Sequence, residues 1–197
     1  MSSTANPYGM VPVLNQGAQY NTQGFEQVPI LDGYTTSIFF GDVVKLGSNN
    51  TLEKDTGTTS LTPYGVFLGC KFISPSLGYF QPQQYWPAST TTGYTTYPNF
   101  PMAYVSTFPW GVFQIQASGP VTWADVGKNA AIVQTAGSAA LGKSRNALNA
   151  SSLDTTDTLP LRVVGLVESP TNASGDAFTD VLVVFNNTQQ ILTKLGV

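Results

Sequence analysis

The residue types that do most enzyme and metal chemistry are nearly missing from this chain. It contains no histidine and one cysteine, Cys70, among 197 residues. Without an imidazole the commonest general base, the triad base and the commonest neutral metal ligand are missing. A thiolate at Cys70 would lack the partner that normally activates it. Cys70 follows an apolar run, which fits a small buried hydrophobe. A zinc site of ordinary composition is excluded on the same counts. Neither phosphate-cradling glycine motif occurs.

Carboxylates are the remaining chemistry. The eleven Asp and Glu are Glu26, Asp32, Asp42, Glu53, Asp55, Asp125, Asp154, Asp157, Glu168, Asp176 and Asp180. A glycosidase needs two of them about 5–9 Å apart. Nearly all sit beside Gly, Thr, Ser or Asn, the setting of a carboxylate that caps backbone donors in turns. Asp154 and Asp157 flank two threonines, too few oxygen ligands for a calcium loop. The expectation is no enzyme, no cofactor and no metal.

Composition points the same way. Charged residues are 10% of the chain, against roughly 25% in an ordinary soluble domain. Hydrophobic residues are 42%, enough for a packed core. A polar but weakly charged surface is cheap to desolvate against other copies or another protein. Eight Lys and Arg with a net charge of −3 offer no basic cluster, so nucleic acid and anionic membranes are poor partners. The first residues, MSSTAN, carry no basic region followed by an apolar one, and no run of about 18 apolar residues occurs; no signal peptide and no membrane helix are expected.

The elements read as strands. Thr35–Phe40, Val43–Leu46, Thr51–Glu53, Tyr64–Phe72, Trp110–Ala117, Ala130–Gln134, Asn146–Asn149, Leu161–Glu168 and Ala177–Asn186 are β-branched, aromatic or alternating and bounded by turn residues. Tyr64–Phe72 is almost continuously apolar, as a strand buried on both faces would be, with Gly65 and Gly69 marking bulges or close packing. Thr122–Gly127 suits a short helical turn or a loop, and Gln189–Leu195 a short helix or an arm. About eight to eleven short strands and no helix of ordinary length predict an all-β fold, a β-barrel or β-sandwich of jelly-roll-like or β-tulip-like form. Residues 1–29 read as an extended N-terminal arm and 30–197 as one β domain with an aromatic, proline-rich insertion at about 73–109. The stretch GDVVKLGSNNTLE followed by YGVFLGC echoes VGKNAAIVQ, SRNALNAS and RVVGLVE, at an identity too low to establish a duplication.

Two segments are candidates for contact. Tyr8, Met10, Val11, Val13 and Tyr20 give the arm apolar anchors for docking on a neighbour. Tyr79, Phe80, Tyr85, Trp86, Tyr94, Tyr97 and Phe100 have the composition of an interface core or outer face. Internal packing is the plain alternative. Trp86, Tyr85 and Tyr94 would also suit a platform for weak glycan contact.

A family resemblance rests on ANPYGMVPV at 5–13, GYTTSIFFGDVVKL at 33–46, TPYGVFLGCKF at 62–72, FQIQASG at 113–119, GKNAAIVQTAGS at 127–138, and LPLRVVGLVESP with GDAFTDVLVVFNN at 159–187. Together these resemble small virion structural proteins of tailed phages, notably cyanophages and other marine phages, of the capsid decoration or cement type. The resemblance implies a homotrimer on the outer surface of the major capsid shell, which it clamps. It implies a protein made in the host cytoplasm, with the major capsid protein as partner and the arm as capsid contact. A tail, neck or fibre-base component, or a glycan-binding β domain on the virion surface, are the alternatives.

Overall fold

The computed structural model describes residues 4–15, 25–96, 99–107, 110–167 and 169–189. They form an all-β protein of several antiparallel sheets, consistent with a sandwich-like fold. In chain order the strands are β1 (Val11–Asn15), β2 (Phe25–Pro29), β3 (Ile38–Phe39), β4 (Val43–Leu46), β5 (Leu52–Lys54), β6 (Gly65–Ile73), β7 (Phe80–Gln83) and β8 (Tyr85–Trp86). They continue as β9 (Met102–Ser106), β10 (Gly111–Gln116), β11 (Asn129–Ala130), β12 (Ile132–Val133), β13 (Ala147–Leu148), β14 (Leu161–Leu166) and β15 (Asp180–Phe185). Short 3-10 turns at Trp123–Asp125 and Ala150–Ser152 are the helical elements among the described residues.

The pairing divides the strands into two units of one design. In unit A the order is β2-β9-β6-β4-β5, and a parallel bridge between Ile30 and Leu52 joins the two ends. In unit B β10, β15, β14 and β11 lie side by side, β12 pairs β13, and a parallel bridge between Ala117 and Leu148 returns β13 to β10. With β11 and β12 taken as one interrupted strand, β10, β11–β12, β13, β14 and β15 repeat β2, β4, β5, β6 and β9 pair for pair.

The match extends to register and hydrogen bonds. Phe67 faces Val105 and Gly69 faces Tyr104, skipping Leu68; Val163 faces Val183 and Gly165 faces Leu182, skipping Val164. The Gly69 and Gly165 bulges therefore fall at the same step. Gly41 (φ 88°) and Gly127 (φ 94°) open the equivalent strands in the left-handed region that glycine enters at low cost. Gly41 N donates to Phe67 O (2.8 Å) and Phe67 N to Asp42 O (2.9 Å). Gly127 N donates to Val163 O (2.8 Å) and Val163 N to Lys128 O (3.0 Å). The echo in the sequence is a shared topology.

Among the described residues there are two apolar clusters. One gathers Phe113, Ile115, Ile132, Leu148, Leu161, Val163, Val181 and Val183 of unit B with Met10, Val43 and Val66. The other lies inside unit A, around Ile30, Ile38, Val44, Phe67, Phe72, Trp86 and Val105. Consecutive residues Val43 and Val44, and Val66 and Phe67, thus face opposite cores. That alternation explains the almost unbroken apolar run at β6, which is buried on both faces as expected.

Two boundaries change. Within residues 1–29, the described parts are extended, but they are built into this chain's own sheets. β1 pairs antiparallel with β10, and β2 with β9. The insertion expected at 73–109 contains β9, which lies between β2 and β6 in unit A. Proline and aromatic residues around it obscured the buried positions Ala103 and Val105. The added segment is residues 74–101, where unit B makes the same connection with 167–179.

Candidate functional site

A buried polar cluster lies where the units meet. Asp42, which follows Gly41 into β4, has no exposed surface. Its Oδ2 accepts from Phe39 N (2.9 Å) and pairs with Lys54 Nζ (2.9 Å). Its Oδ1 accepts from Ser144 Oγ (2.6 Å) and Asn146 Nδ2 (3.2 Å). Asn146 Oδ1 accepts in turn from Thr135 N (3.0 Å). Four donors satisfy the carboxylate, so a charge that would be expensive to bury alone is held by hydrogen bonds and one cation. Ser144 and Asn146 come from the 134–146 segment of unit B and Lys54 from β5 of unit A. The cluster ties the two units together. Asp42 and Ser144 are sealed from solvent, so their chemistry is that of an internal strut.

The N-terminal segment is held by the same region. Gly9 N donates to Asn146 O (3.1 Å) and Met10 N to Gly41 O (2.9 Å). A Cβ on Gly9 would lie 2.6 Å from both Gly41 O and Ser144 Cβ, so only glycine lets the chain pass. Gln116 accepts from Asn6 N (2.7 Å) and donates to Thr4 O (3.2 Å), which extends the β1–β10 pairing by a side chain. Tyr8 OH donates to Asp180 Oδ1 (3.1 Å). Burial raises the Tyr8 phenol, with the Asp180 charge adding to it; burial likewise raises the Asp180 carboxyl, against the lowering effect of the Tyr8 bond.

These contacts place the expected arm anchors. Met10 is fully buried in this chain's core and Tyr8 is half-buried against Asp180, so neither presents a docking surface in this conformation. Val11 is half-buried at the start of β1 and Val13 is exposed. Tyr20 lies outside the described residues. The reason is local: a Gly-Met step against Gly41 leads directly into a strand that satisfies the edge of β10.

The aromatic candidates separate by environment. Trp86 is fully buried, edge-on to Phe72 at 5.2 Å, and Tyr85 stacks on Phe39 at 5.4 Å. Neither the Trp86 ring nor the stacked face of Tyr85 is open to a sugar; both belong to unit A's packing. Phe100 is half-buried, and Tyr97 lies outside the described residues. Tyr79, Phe80 and Tyr94 are exposed. Sequence reasoning passed over Leu77, which is exposed beside Tyr79 and Phe80 on the β6–β7 connection. It also passed over the Asp42 cluster, whose members lie far apart in the chain.

Several of the other carboxylates accept from nearby backbone N–H groups, as turn residues do. Asp55 accepts from Gly57 N (3.2 Å) and Thr62 N (2.9 Å), and Asp32 from Thr92 N (2.6 Å) and Gly93 N (3.1 Å). Asp125 is held down to about 2 by Lys128, with Thr122 N assisting. The Thr155 N–H lowers Asp154. Burial pushes the Cys70 thiol up to about 12, a packed thiol rather than an activated one. Among the described residues no three His, Cys, Asp or Glu converge on a metal-sized site, and no helix is long and apolar enough to cross a membrane. Comparisons with protein-family models, with curated proteins and with solved structures found no match.

Proposed function

We propose that this chain is a structural virion protein of the capsid decoration type, working by adhesion as a homotrimer on the major capsid shell. Its support is the resemblance in sequence together with a surface suited to assembly. The observation that carries the reading is a group of large apolar side chains, Leu77, Tyr79 and Phe80, held exposed at the tip of an uncharged segment that is much shorter in the second unit of the framework. Between Lys71 and Asp125 there is no Asp, Glu, Lys or Arg. Apolar surface of this kind is stabilised when covered, at about 25 cal/mol per Å². A contact of about 1,000 Å² or more holds a protein stably, and many copies on one shell act together.

The test is the protein's place in the particle. Quantitative mass spectrometry of purified virions, with a reconstruction of the head, is expected to find hundreds of copies on the shell. A low copy number at the tail or neck, or absence from the particle, overturns it.

A further inference from the structure

We propose that the tip of the β6–β7 hairpin, carrying Leu77, Tyr79 and Phe80, is the surface through which copies of this chain associate. The inference rests on the assembly reading above and names its contact.

The duplicated framework supplies the first argument. Unit B closes the same five-strand circuit with residues 167–179 between β14 and β15. Unit A uses 74–101, more than twice that length. The framework therefore does not need the extra segment to close. Part of it does pack inward: Trp86 fills the unit A core and β8 pairs β3. The tip does not. Leu77 is 49% exposed, Tyr79 60% and Phe80 45%, three large apolar side chains within four positions. In the equivalent unit B connection Ser169 bridges Asn172, the residues between are small or polar, and the one large aromatic, Phe178, is half-buried.

The second argument is order. Ser74 O accepts from Leu77 N (3.2 Å) and Gly78 N (2.9 Å), Ser74 N donates to Tyr79 O (3.1 Å), and the Ser74 and Ser76 hydroxyls are 3.0 Å apart. β7 pairs Ile73 with Phe80 and Lys71 with Pro82. Pro75 and Pro82 remove further freedom. A tip already fixed in shape loses little entropy on being covered, which favours association.

The third argument identifies the occupant. Where a protruding tip meets its copies on a cyclic axis, the same residues approach one another, so a charged tip would meet its own sign. This tip lies within the stretch that has no charged residue. Its aromatic and aliphatic side chains can pack on their own kind without an opposed charge. A second copy of this chain is thus the fitting partner.

The experiment is the mass of the full chain in solution by light scattering and analytical ultracentrifugation, for the natural protein and for Leu77→Ser/Tyr79→Ser/Phe80→Ser. The natural protein is expected to be an oligomer. The triple variant is expected to be a monomer, or at least tenfold weaker in association, with near-unchanged melting. Leu77→Glu alone is the second variant: like charges brought together should dissociate the oligomer, and added salt should partly restore it. Trp110→Ser, another exposed aromatic, should leave the mass unchanged. A monomeric natural protein, or an oligomer that survives both tip variants, overturns the proposal. In the latter case assembly by another face still stands, whereas absence from virions removes the decoration reading whatever the mass.

Discussion

Unit A and unit B share strand order, bulge position and the bonds around Gly41 and Gly127, yet one cross-strand pair differs in character. In unit A the pair is Val43 and Val66, both fully buried. In unit B it is Asn129 and Arg162, where Arg162 Nε donates to Asn129 Oδ1 (2.9 Å) and Arg162 is exposed. The backbone is alike; the surroundings are not. The outer face of unit A at this pair packs into the unit B core, whereas at the unit B pair Arg162 reaches water over a buried, hydrogen-bonded Asn129. A repeated framework therefore takes apolar or charged side chains at one position according to what covers it. The residue after the conserved-geometry glycine shows the same split. Asp42 is sealed inside and bonded four ways, while Lys128 makes a partly exposed pair with Asp125 at 2.8 Å.

Exchanging side chains between equivalent positions gives the largest expected effect. Val66→Arg would bury an unpaired charge between the two cores and should cost more than about 4 kcal/mol, enough to leave little folded protein. Arg162→Val should cost about 1 kcal/mol, because Asn129 loses one donor but keeps its bond to Thr156 O. Urea unfolding of both variants measures the ratio, and similar costs would show that the two faces are not distinguished as argued.

The charged pairs come next. Asp42→Ala strands Lys54 and leaves the Ser144 and Asn146 donors without their acceptor, at an expected cost of about 3–5 kcal/mol. Lys128→Ala breaks a partly exposed pair and should cost under about 1 kcal/mol. Differential scanning calorimetry separates these readily.

The bulges differ more gently. Gly69 has φ 141° and a Cβ there would sit 2.9 Å from Gln83 O, whereas a Cβ on Gly165 would touch Leu182 Cδ1 at 3.6 Å, an ordinary contact. Gly69→Ala should cost about 2 kcal/mol and Gly165→Ala less than about 1 kcal/mol. Equal melting temperatures for the two variants would deny the difference.

The smallest effect concerns pH. Burial raises the Asp180 carboxyl above its unfolded value, so the folded state holds that proton more tightly. Its contribution is fully present below the unfolded carboxylate pKa and is lost as pH rises through the folded one. Asp180→Asn keeps an acceptor for Tyr8 and removes the charge, so melting should fall less from acid to neutral pH than in the natural protein. A parallel pH profile for the two would remove Asp180 as the cause.

Much of the framework was legible. β4, β6, β10, β14 and β15 announce themselves by β-branched and aromatic residues and by the turns between them. The doubly apolar β6 was readable as buried on both sides. β9 was not, because its alternation, Met102-Ala103-Tyr104-Val105, is short and set among prolines and aromatics. The arm illustrates another limit: Tyr8, Met10 and Val11 read equally well as anchors for a neighbour or for the chain itself, since apolar composition does not name its partner. The Asp42 cluster drew no signal, as Asp42 and Lys54 of the β4–β5 hairpin are brought to Ser144 and Asn146 only by folding, Ser144 lying 102 positions from Asp42 along the chain.

By itself, the sequence determined that this is a β protein with scarce charge, with turn-forming carboxylates and without the imidazole chemistry of common active sites. Those properties follow from residue type and short-range periodicity, which act along the chain. Tertiary structure alone decided that the faint echo is a repeated five-strand circuit, that Met10 and Trp86 are core, and that Leu77, Tyr79 and Phe80 are left outside. Each of these depends on which faces meet, and that is set by packing between segments far apart in sequence.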